Sequence, residues 1–249
     1  MAQTSLNGFI DALSRAGSLE AIHGVCSDFC HFSESEHFIY GARIPTSLTQ
    51  PSFIYVSGYP EKWRERYLER NYLCIDPVVA HCTRSSLPIN WSQVAPLEKK
   101  NKQARMFMDE ARDHGLRSGI SFPVHTACGE SAMFSLGSSD DHKKAGPRIE
   151  AMSPNAMLFT AHLHEAVRRL FTQADHLPIS QITLTEREKQ CLLWAAEGKT
   201  TWETARILKI SERTVIFHVQ NAAEKLNVVN RQQAIARAIS TGLIAPQLN

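Results

Sequence analysis

The chain has 249 residues, of which 43% are hydrophobic and 21% charged, and its formal net charge is +2. This composition is typical of a soluble globular protein with one large domain or two ordinary ones. No apolar run approaches the roughly 20 residues that a membrane span needs, and the start MAQTSLNGFIDALSRAG lacks the basic and apolar blocks of a signal peptide. We therefore expect a cytoplasmic protein without a membrane partner.

The cysteines are scattered, without a CxxC pair or a His-rich partner segment. Their spacing indicates neither a zinc site nor a disulfide framework. We expect no metal and no cofactor, and we predict that the cysteines are small, buried, apolar thiols. They are Cys26, Cys30, Cys74, Cys82, Cys128 and Cys191.

The first 173 residues alternate between helix and strand patterns. Apolar residues at helical spacing predict helices within 5–32 and over about 60–72, 77–85, 98–115 and 148–172. Short runs rich in β-branched and aromatic residues predict strands at EHFIYGARI, SFIYVSG, SGISFPVH and SAMFSLGSS. Strands flanked by helices favour a sheet that is covered by helices on both faces.

A change of pattern marks the second half of the chain. The segment QADHLPISQI breaks the periodicity and contains a proline, which is typical of a linker. We predict a first domain at 1–173, a linker at 174–182 and a second domain at 183–249. The whole positive surplus lies after residue 173, where nine Lys and Arg face seven Asp and Glu. Such an excess is a weak indication of nucleic-acid binding.

Four helix starts can be read in the last unit. Three of them pair a capping residue with Glu or Gln three positions later, and the fourth begins at a serine cap. They are Thr185 with Glu188, Thr200 with Glu203, Asn230 with Gln233, and Ser211. Two short helices, a tight connection at 208–210 and a polar-faced helix predict a helix-turn-helix, which places its later helix in the DNA major groove.

The third of these helices has two distinct faces. Its buried seam is predicted to consist of Val215, Val219, Ala222 and Leu226. On the opposite face, Ile216 and Phe217 are suited to thymine methyl groups and Gln220 to an adenine edge. The alternative is a solvated helix with one stray aromatic side chain. The residues predicted to contact DNA, including those placed near helix N-termini to bind phosphates, are Lys199, Thr200, Ser211, Arg213, Thr214, Ile216, Phe217 and Gln220.

This unit resembles the helix-turn-helix of LuxR-type quorum-sensing regulators. The resemblance rests on the segments LTERE, GKT, SERTVIFH and KL within residues 184–226. Phosphorylation-controlled response regulators share this kind of tail. Their receiver domain carries an acidic pair near its start and a phospho-acceptor Asp after a strand, and neither pattern is present here.

The segment SGYPEKWRERYLERNYLCIDPVV poses the question of whether its aromatic residues form a core or a pocket. It resembles the ligand domain of LasR-like acyl-homoserine-lactone receptors through Tyr59-Pro60-x-x-Trp63, Asp76-Pro77 and the later Trp91. The resemblance covers almost the whole chain. It implies an α+β fold, with an N-terminal α/β/α sandwich around an antiparallel sheet and a C-terminal all-α unit of four helices.

The resemblance also implies roles for individual side chains around an N-acyl-L-homoserine lactone. Asp76 accepts the amide N–H, Trp63 donates to the lactone carbonyl, and Tyr59 and Ser135 donate to the amide carbonyl. The hydrogen-bonding inventory of these groups agrees, since indole only donates and ionised Asp only accepts. Tyr59 and Trp63 are four residues apart, so we expect one helical face to present both.

Further residues complete the expected site. Trp91 is expected to form a wall beside the lactone ring, with Ser121 as a hydroxyl behind it. Arg64 is placed to reach a 3-oxo group, and Met133, near Ser131, to close the acyl tunnel. Without the resemblance, Asp76-Pro77 is simply a helix N-cap with Pro at N1, and the aromatic side chains are ordinary core.

Two departures from the family pattern stand out. Thr204 occupies a position where the family usually has an Ile facing the helical core, so we expect a slightly looser DNA-binding unit. Ile216 stands where many relatives carry a polar base-reading residue, so the operator sequence does not follow from theirs.

The sequence thus predicts a homodimeric, ligand-dependent transcription regulator that binds a palindromic promoter site and acts with RNA polymerase. It leaves acyl-chain length and the choice between activation and repression open. One alternative is a lactone-hydrolysing or acylating enzyme, but neither a GxSxG elbow nor an HxHxDH cluster is present, so we predict a protein without catalysis. Another alternative is a ligand-independent DNA-binding antagonist.

Overall fold

A computed structural model describes residues 5–45, 49–94, 101–127, 129–173 and 182–245. The chain divides into two compact units. The first comprises residues 1–43, 53–125 and 131–173, and the second comprises 44–52, 126–130 and 174–249. Apart from Ile182, the predicted linker lies outside the described residues, so its boundaries stay a prediction.

The first unit combines six helices and five strands among its described residues. They are α1 Leu6–Arg15, α2 Leu19–Phe32, β1 His37–Ile44, β2 Ser52–Ser57, α3 Glu61–Glu69, α4 Pro77–Cys82, β3 Ile89–Asn90, α5 Lys102–Asp113, β4 Ser118–His125, β5 Ser131–Ser138 and α6 His142–Gln173. Short 3₁₀ turns follow at Tyr72–Cys74 and Trp91–Val94. The four predicted strands are confirmed, and the two-residue β3 was missed because so short a run has no periodicity.

The sheet has the strand order β2-β1-β5-β4-β3. The pairs β1–β5, β4–β5 and β3–β4 are antiparallel, as expected. Successive side chains alternate between the two faces of a strand. Paired Phe122 and Phe134 therefore lie on one face, and paired Ser121 and Ser135 lie on the other.

The aromatic face of the sheet packs against α1, α2 and α6. Phe29 of α2 stacks on Phe159 of α6 with ring centroids 3.9 Å apart, and Phe134 of β5 meets Phe159 at 5.4 Å. Large buried aromatic side chains supply much of the apolar stabilisation of such a core. This side of the sheet is therefore filled by protein side chains.

Helices α3, α4 and α5 cover the opposite face. Arg66 of α3 forms two hydrogen bonds with Glu110 of α5, at 2.9 and 3.3 Å. This bidentate pair fixes the two helices to each other and holds the pKa of Glu110 below its usual value. On this face the sheet presents the polar pair Ser121 and Ser135 in place of Phe122 and Phe134.

The second unit is helical, with α7 Glu186–Ala196, α8 Thr201–Leu208, α9 Glu212–Lys225 and α10 Arg231–Ser240. Both predicted capping boxes and the caps at Ser211 and Asn230 are present. The predicted seam of α9 is buried. Lys225 donates to the buried Glu188 at 2.8 Å. Burial raises the pKa of Glu188, but this bond and the Thr185 N–H outweigh it, so that the pKa lies below its usual value.

Two local predictions need correction. Helix α6 starts at His142, before the predicted residue 148, because Asp141 caps the backbone N–H of Lys144 upstream of Pro147. The prediction of buried cysteines holds for Cys26, Cys30, Cys82 and Cys191 but is wrong for Cys74. Cys74 ends a short 3₁₀ turn and is exposed, while Cys128 lies outside the described residues. Among the described helices, none is long and apolar enough to cross a membrane.

Candidate ligand cavity and DNA-binding surface

A cavity of about 700 Å³ lies between the polar face of the sheet and helices α3, α4 and α5. Its walls are mainly apolar and include Val78, Phe107, Met108 and Leu116. Seven of the eight predicted ligand residues line it, namely Tyr59, Trp63, Arg64, Asp76, Trp91, Met133 and Ser135. A mostly apolar cavity of this size with few polar groups is typical of a small-molecule site.

Asp76 both caps a helix and faces the cavity. Its Oδ1 accepts the backbone N–H groups of Val78 and Val79 at 2.8 and 3.3 Å, and Pro77 follows at the first helical position, as the local reading predicted. Its Oδ2 accepts the Tyr67 hydroxyl at 3.0 Å. Burial raises the pKa of Asp76 to about 6, although these three hydrogen bonds oppose the rise. One side chain thus serves as both helix cap and cavity anchor.

Trp63 lies on α3 and is only 2% exposed. Its ring is surrounded by Phe107 and His114 at centroid distances of 5.6 and 5.3 Å, and by Tyr67 and Tyr72 at 6.0 and 5.9 Å. No described residue accepts a hydrogen bond from its indole N–H. A buried donor without a protein partner is unfavourable unless a ligand or water accepts from it.

Tyr59 precedes α3, whose N-cap is Pro60. The expectation that one helical face presents Tyr59 and Trp63 is therefore wrong, because the helix begins only at Glu61. The loop nevertheless brings Tyr59 to the same cavity. Burial and the Asp76 charge raise the pKa of Tyr59, while hydrogen bonding with Ser135 lowers it.

Trp91, Ser121 and Ser135 form a connected polar group on the sheet. The Trp91 indole N–H donates to Ser121 Oγ at 3.0 Å, and Ser121 Oγ is 2.7 Å from Ser135 Oγ. Paired Gly119 and Gly137 make the flat surface on which the Trp91 ring lies. A Cβ at Gly119 would come 2.8 Å from this ring. Ser121 lies behind the cavity wall, as predicted.

Arg64 and Met133 line the cavity from a helix and from a strand. Arg64 lines it from α3, and its Nε is buried without a hydrogen-bond partner among the described residues. Met133 lines it from β5, with Ser131 two residues before it on the same strand. Their positions agree with the predicted placement, although the roles assigned to them remain predictions.

Sequence reasoning gave no role to Tyr67, which donates to Oδ2 of Asp76. Its spacing of four from Trp63 on a helix was the available signal. The cavity walls from α5, Phe107, Met108 and Ala111, were also missed. An amphipathic helix shows which residues it buries, but its sequence does not tell whether they face a core or a cavity.

In the second unit, α8 and α9 form the predicted helix-turn-helix. Lys209 ends α8 in the left-handed conformation at φ 55°, which allows the tight connection to Ser211. The hydroxyl groups of Thr200 and Ser211 serve as caps, with Ser211 Oγ also 2.7 Å from Thr214 Oγ1. Lys199 precedes the first of these caps. The two caps fix where α8 and α9 begin, and contact of these helix starts with DNA phosphates stays a prediction.

The outer face of α9 carries apolar and polar side chains at the predicted positions. Ile216 and Phe217 are 47% and 56% exposed, and Arg213 and Gln220 are exposed beside them. Their exposure places both side chains outside the packed core of the second unit. Within the described residues no group of His, Cys, Asp or Glu could hold a metal ion.

Comparisons with known proteins show which family each of the two units matches. Residues 18–167 match the autoinducer binding domain, and residues 182–238 match the bacterial regulatory proteins of the luxR family. The chain is 36% identical over 237 residues to the transcriptional activator protein LuxR of Aliivibrio fischeri, covering 94% of this chain and 92% of that protein. It is 37% identical over 213 residues to the transcriptional activator VanR of Vibrio anguillarum, covering 86% of each.

Solved structures agree with these sequence relatives. Escherichia coli SdiA is 26% identical and has a TM-score of 0.71, covering 97% of this chain and 98% of its own. SdiA in complex with octanoyl-rac-glycerol is 26% identical with a TM-score of 0.72, covering 98% and 96%. The chain therefore belongs to the LuxR family of autoinducer-binding transcriptional activators and carries the DNA-binding domain of that family.

Proposed function

We propose that the cavity binds an N-acyl-L-homoserine lactone and that the bound protein acts as a homodimer on a two-fold symmetric promoter site. The observation that carries this proposal is the Trp63 indole N–H, buried without a described protein partner in the cavity that also holds the Asp76 carboxylate. A donor-only group and an acceptor-only group around one apolar cavity call for a ligand with a carbonyl, an N–H and an apolar tail.

An acyl-homoserine lactone meets these requirements group by group. Its amide N–H pairs with Asp76, its lactone carbonyl with Trp63, and its amide carbonyl with Tyr59 or Ser135. Trp91 forms a wall beside the lactone ring, with Ser121 behind it. The remaining apolar volume receives the acyl chain, with Met133 along its path, and the unpartnered Arg64 Nε is available to a 3-oxo group.

The proposal of a homodimer rests on the first unit. Met157 and Leu158 of α6 are both about half exposed, which leaves two apolar side chains available to a second copy of the chain. Each copy then presents one helix-turn-helix. Both recognition helices must meet the same side of the duplex, so we expect half-site centres about 10 base pairs apart. An activator bound at such a promoter has RNA polymerase as a further partner.

The ligand class is tested by thermal unfolding of the purified full-length chain with a panel of acyl-homoserine lactones and with monoacylglycerols. The glycerol esters are included because an acylglycerol is the ligand in the SdiA complex. We expect stabilisation by a lactone, since a ligand at about 100 times its dissociation constant adds roughly 2.7 kcal/mol. Equal melting with and without every lactone contradicts the proposal. Stabilisation by the glycerol esters alone assigns the cavity to them instead.

The Trp63→Phe variant tests whether the ligand binds at the indole N–H of Trp63. It keeps an aromatic ring and removes the N–H donor, so we expect the ligand dissociation constant to rise about tenfold or more. Trp202→Phe is the matched control, because Trp202 belongs to α8 of the second unit. An unchanged dissociation constant in Trp63→Phe means that this indole is only core.

A further inference from the structure

Trp91 belongs to a hydrogen-bonded chain that ends in the cavity. Its indole N–H donates to Ser121 Oγ at 3.0 Å, and Ser121 Oγ lies 2.7 Å from Ser135 Oγ. Ser121 and Ser135 are fully buried. The three members belong to a 3₁₀ turn, to β4 and to β5, and the last of them, Ser135, lines the cavity, as Tyr59 does.

The direction of this chain is set at its first member. Indole nitrogen is a donor and never an acceptor, so Ser121 must accept from Trp91. The Ser121 hydroxyl has no other hydrogen-bond partner among the described residues than Trp91 and Ser135. If Ser135 donated to Ser121, the Ser121 proton would be buried and unpaired, which is unfavourable. The Ser121 hydroxyl therefore donates to Ser135.

The number of hydrogens in this chain then determines which hydrogen-bonding group faces the cavity. The chain contains one N–H and two O–H groups, and it has two links, from Trp91 to Ser121 and from Ser121 to Ser135. Each link uses one hydrogen. The Ser135 hydrogen is left without an acceptor inside the chain. It is free to point into the cavity, which Ser135 lines.

We infer that Trp91 and Ser121 are positioning residues, which polarise this chain in one direction so that the cavity presents a hydrogen-bond donor beside Tyr59 and Ser135. The ligand must therefore carry an acceptor at this point, and a ligand with a donor there is rejected. A chain of bonds that all run one way is also strengthened by mutual polarisation. This inference rests on the proposed lactone ligand, whose amide carbonyl is the acceptor.

The glycine pair of the sheet supports this role for Trp91. Gly119 and Gly137 are register partners, and a Cβ on either would come within 2.8 or 3.1 Å of the Trp91 ring. Each glycine lies two residues from a serine of the hydrogen-bonded chain. The Trp91 ring therefore rests on the same face of the sheet as Ser121 and Ser135. The indole is thus held flat on the sheet with its Nε1 directed at Ser121, whereas a residue that only filled space would need no such direction.

The experiment uses a lactone with a ¹³C-labelled amide carbonyl bound to the full-length chain, and infrared spectroscopy of that carbonyl. We expect the amide band to lie at lower frequency in the wild type than in Trp91→Phe or Ser121→Ala, because the carbonyl accepts a stronger hydrogen bond. Ser121→Thr, which restores the hydroxyl, is expected to return the band to the wild-type position. Trp63→Phe lies outside the chain and is expected to weaken binding without moving the amide band.

A second measurement compares the lactone with its thioamide, in which a poor acceptor replaces the amide oxygen. We expect the wild type to bind the thioamide about tenfold more weakly, as the loss of one good hydrogen bond implies. This ratio should shrink severalfold in Trp91→Phe and in Ser121→Ala. Unchanged carbonyl bands and unchanged ratios in both variants would overturn the inference. Failure of the wild type to bind any lactone is a different result, which rejects the proposed function itself.

Discussion

The two units satisfy their polar groups over very different distances along the chain. In the second unit, the caps at Thr185, Thr200 and Ser211 each bind groups only three residues away. In the first unit, the cavity is built from pairs that are distant in sequence, such as Ser121 with Ser135, 14 residues apart, and Trp91 with Ser121, 30 apart. The helix caps of the second unit are thus specified by local contacts, whereas the cavity exists only when strands and helices have assembled.

The units also differ in where their polar groups without a hydrogen-bond partner lie. Side chains that line the cavity hold the Trp63 N–H and the Arg64 Nε without a hydrogen-bond partner among the described residues. Within the described part of the second unit, one buried hydroxyl is unpaired, that of Thr204, which is 1% exposed. An unpaired group at a cavity is a recognition element, while one in a packed core lowers stability. The following predictions test this contrast.

Asp76→Asn should have the largest effect. The Asn oxygen can still cap α4 through Val78, so the fold is retained, but an NH₂ replaces the oxygen that faces Tyr67 and the ligand. A hydrogen bond to a charged group is worth about 1.5–3 kcal/mol, so we expect the half-maximal ligand concentration to rise about 10- to 150-fold. A reporter assay at equal protein level measures it, with the exposed Asp28→Asn as control. Wild-type sensitivity in Asp76→Asn would remove Asp76 from the site.

Ligand affinity should depend on pH through Asp76. The free protein has a pKa of about 6 for this carboxyl, raised by burial, and the ligand N–H pairs with the ionised form. We expect constant affinity above pH 6 and a loss approaching tenfold per pH unit below it. Titrations between pH 5 and 7.5 measure this, and the slope should disappear in Asp76→Asn.

The folding stability of the ligand-free protein should increase as the pH falls, whereas the ligand affinity decreases. The raised pKa means that the folded state binds more protons than the unfolded state between about pH 4 and 6, so this group adds stability as the pH falls through that window. Denaturant unfolding of the wild type and Asp76→Asn without ligand separates this contribution. If the ligand affinity of the wild type does not change across pH 6, the ionised Asp76 carboxylate is not the acceptor of the ligand N–H.

Two substitutions on the DNA surface should have different signatures. Gln220→Ala removes a bidentate adenine contact and should relax base preference symmetrically in both half-sites, by about 1–3 kcal/mol. Lys199→Ala removes a phosphate contact, so it should weaken binding to all sequences and lower the salt dependence by about one counterion per half-site. Selection of sites from random DNA over a salt series distinguishes the two. An unchanged base preference in Gln220→Ala, or a monomeric footprint, would reject the docking.

Thr204→Val should have the smallest effect and the opposite sign. The substitution removes the buried, unpaired hydroxyl and keeps the volume, so we expect the second unit to gain about 1 kcal/mol. Hydrogen exchange of amides within residues 186–225 of the full-length chain measures this gain locally. Thr201→Val, at a half-exposed position beside it, should leave the exchange unchanged. Faster exchange in Thr204→Val would show that the hydroxyl has a partner.

The sequence by itself determined the helical unit almost completely. Its caps, its tight connection and the buried seam from Val215 to Leu226 each depend on residues within one or two turns, and such signals are visible in the order of residues. The four longer strands were visible for the same reason, because their composition and bounding turns are local. The residues around the cavity were identified through the family resemblance, since no local pattern distinguishes Trp63 from ordinary core.

Tertiary structure alone decided how the cavity residues act together. Asp76 is a helix cap by sequence, and only the approach of Tyr67 and the burial of both make it an anchor with a raised pKa. The chain from Trp91 to Ser135 and the surface of Gly119 and Gly137 depend on strand register, which is set by packing across the whole sheet. Contacts between distant residues leave no periodic trace in the sequence, so they appear only when the sheet is assembled.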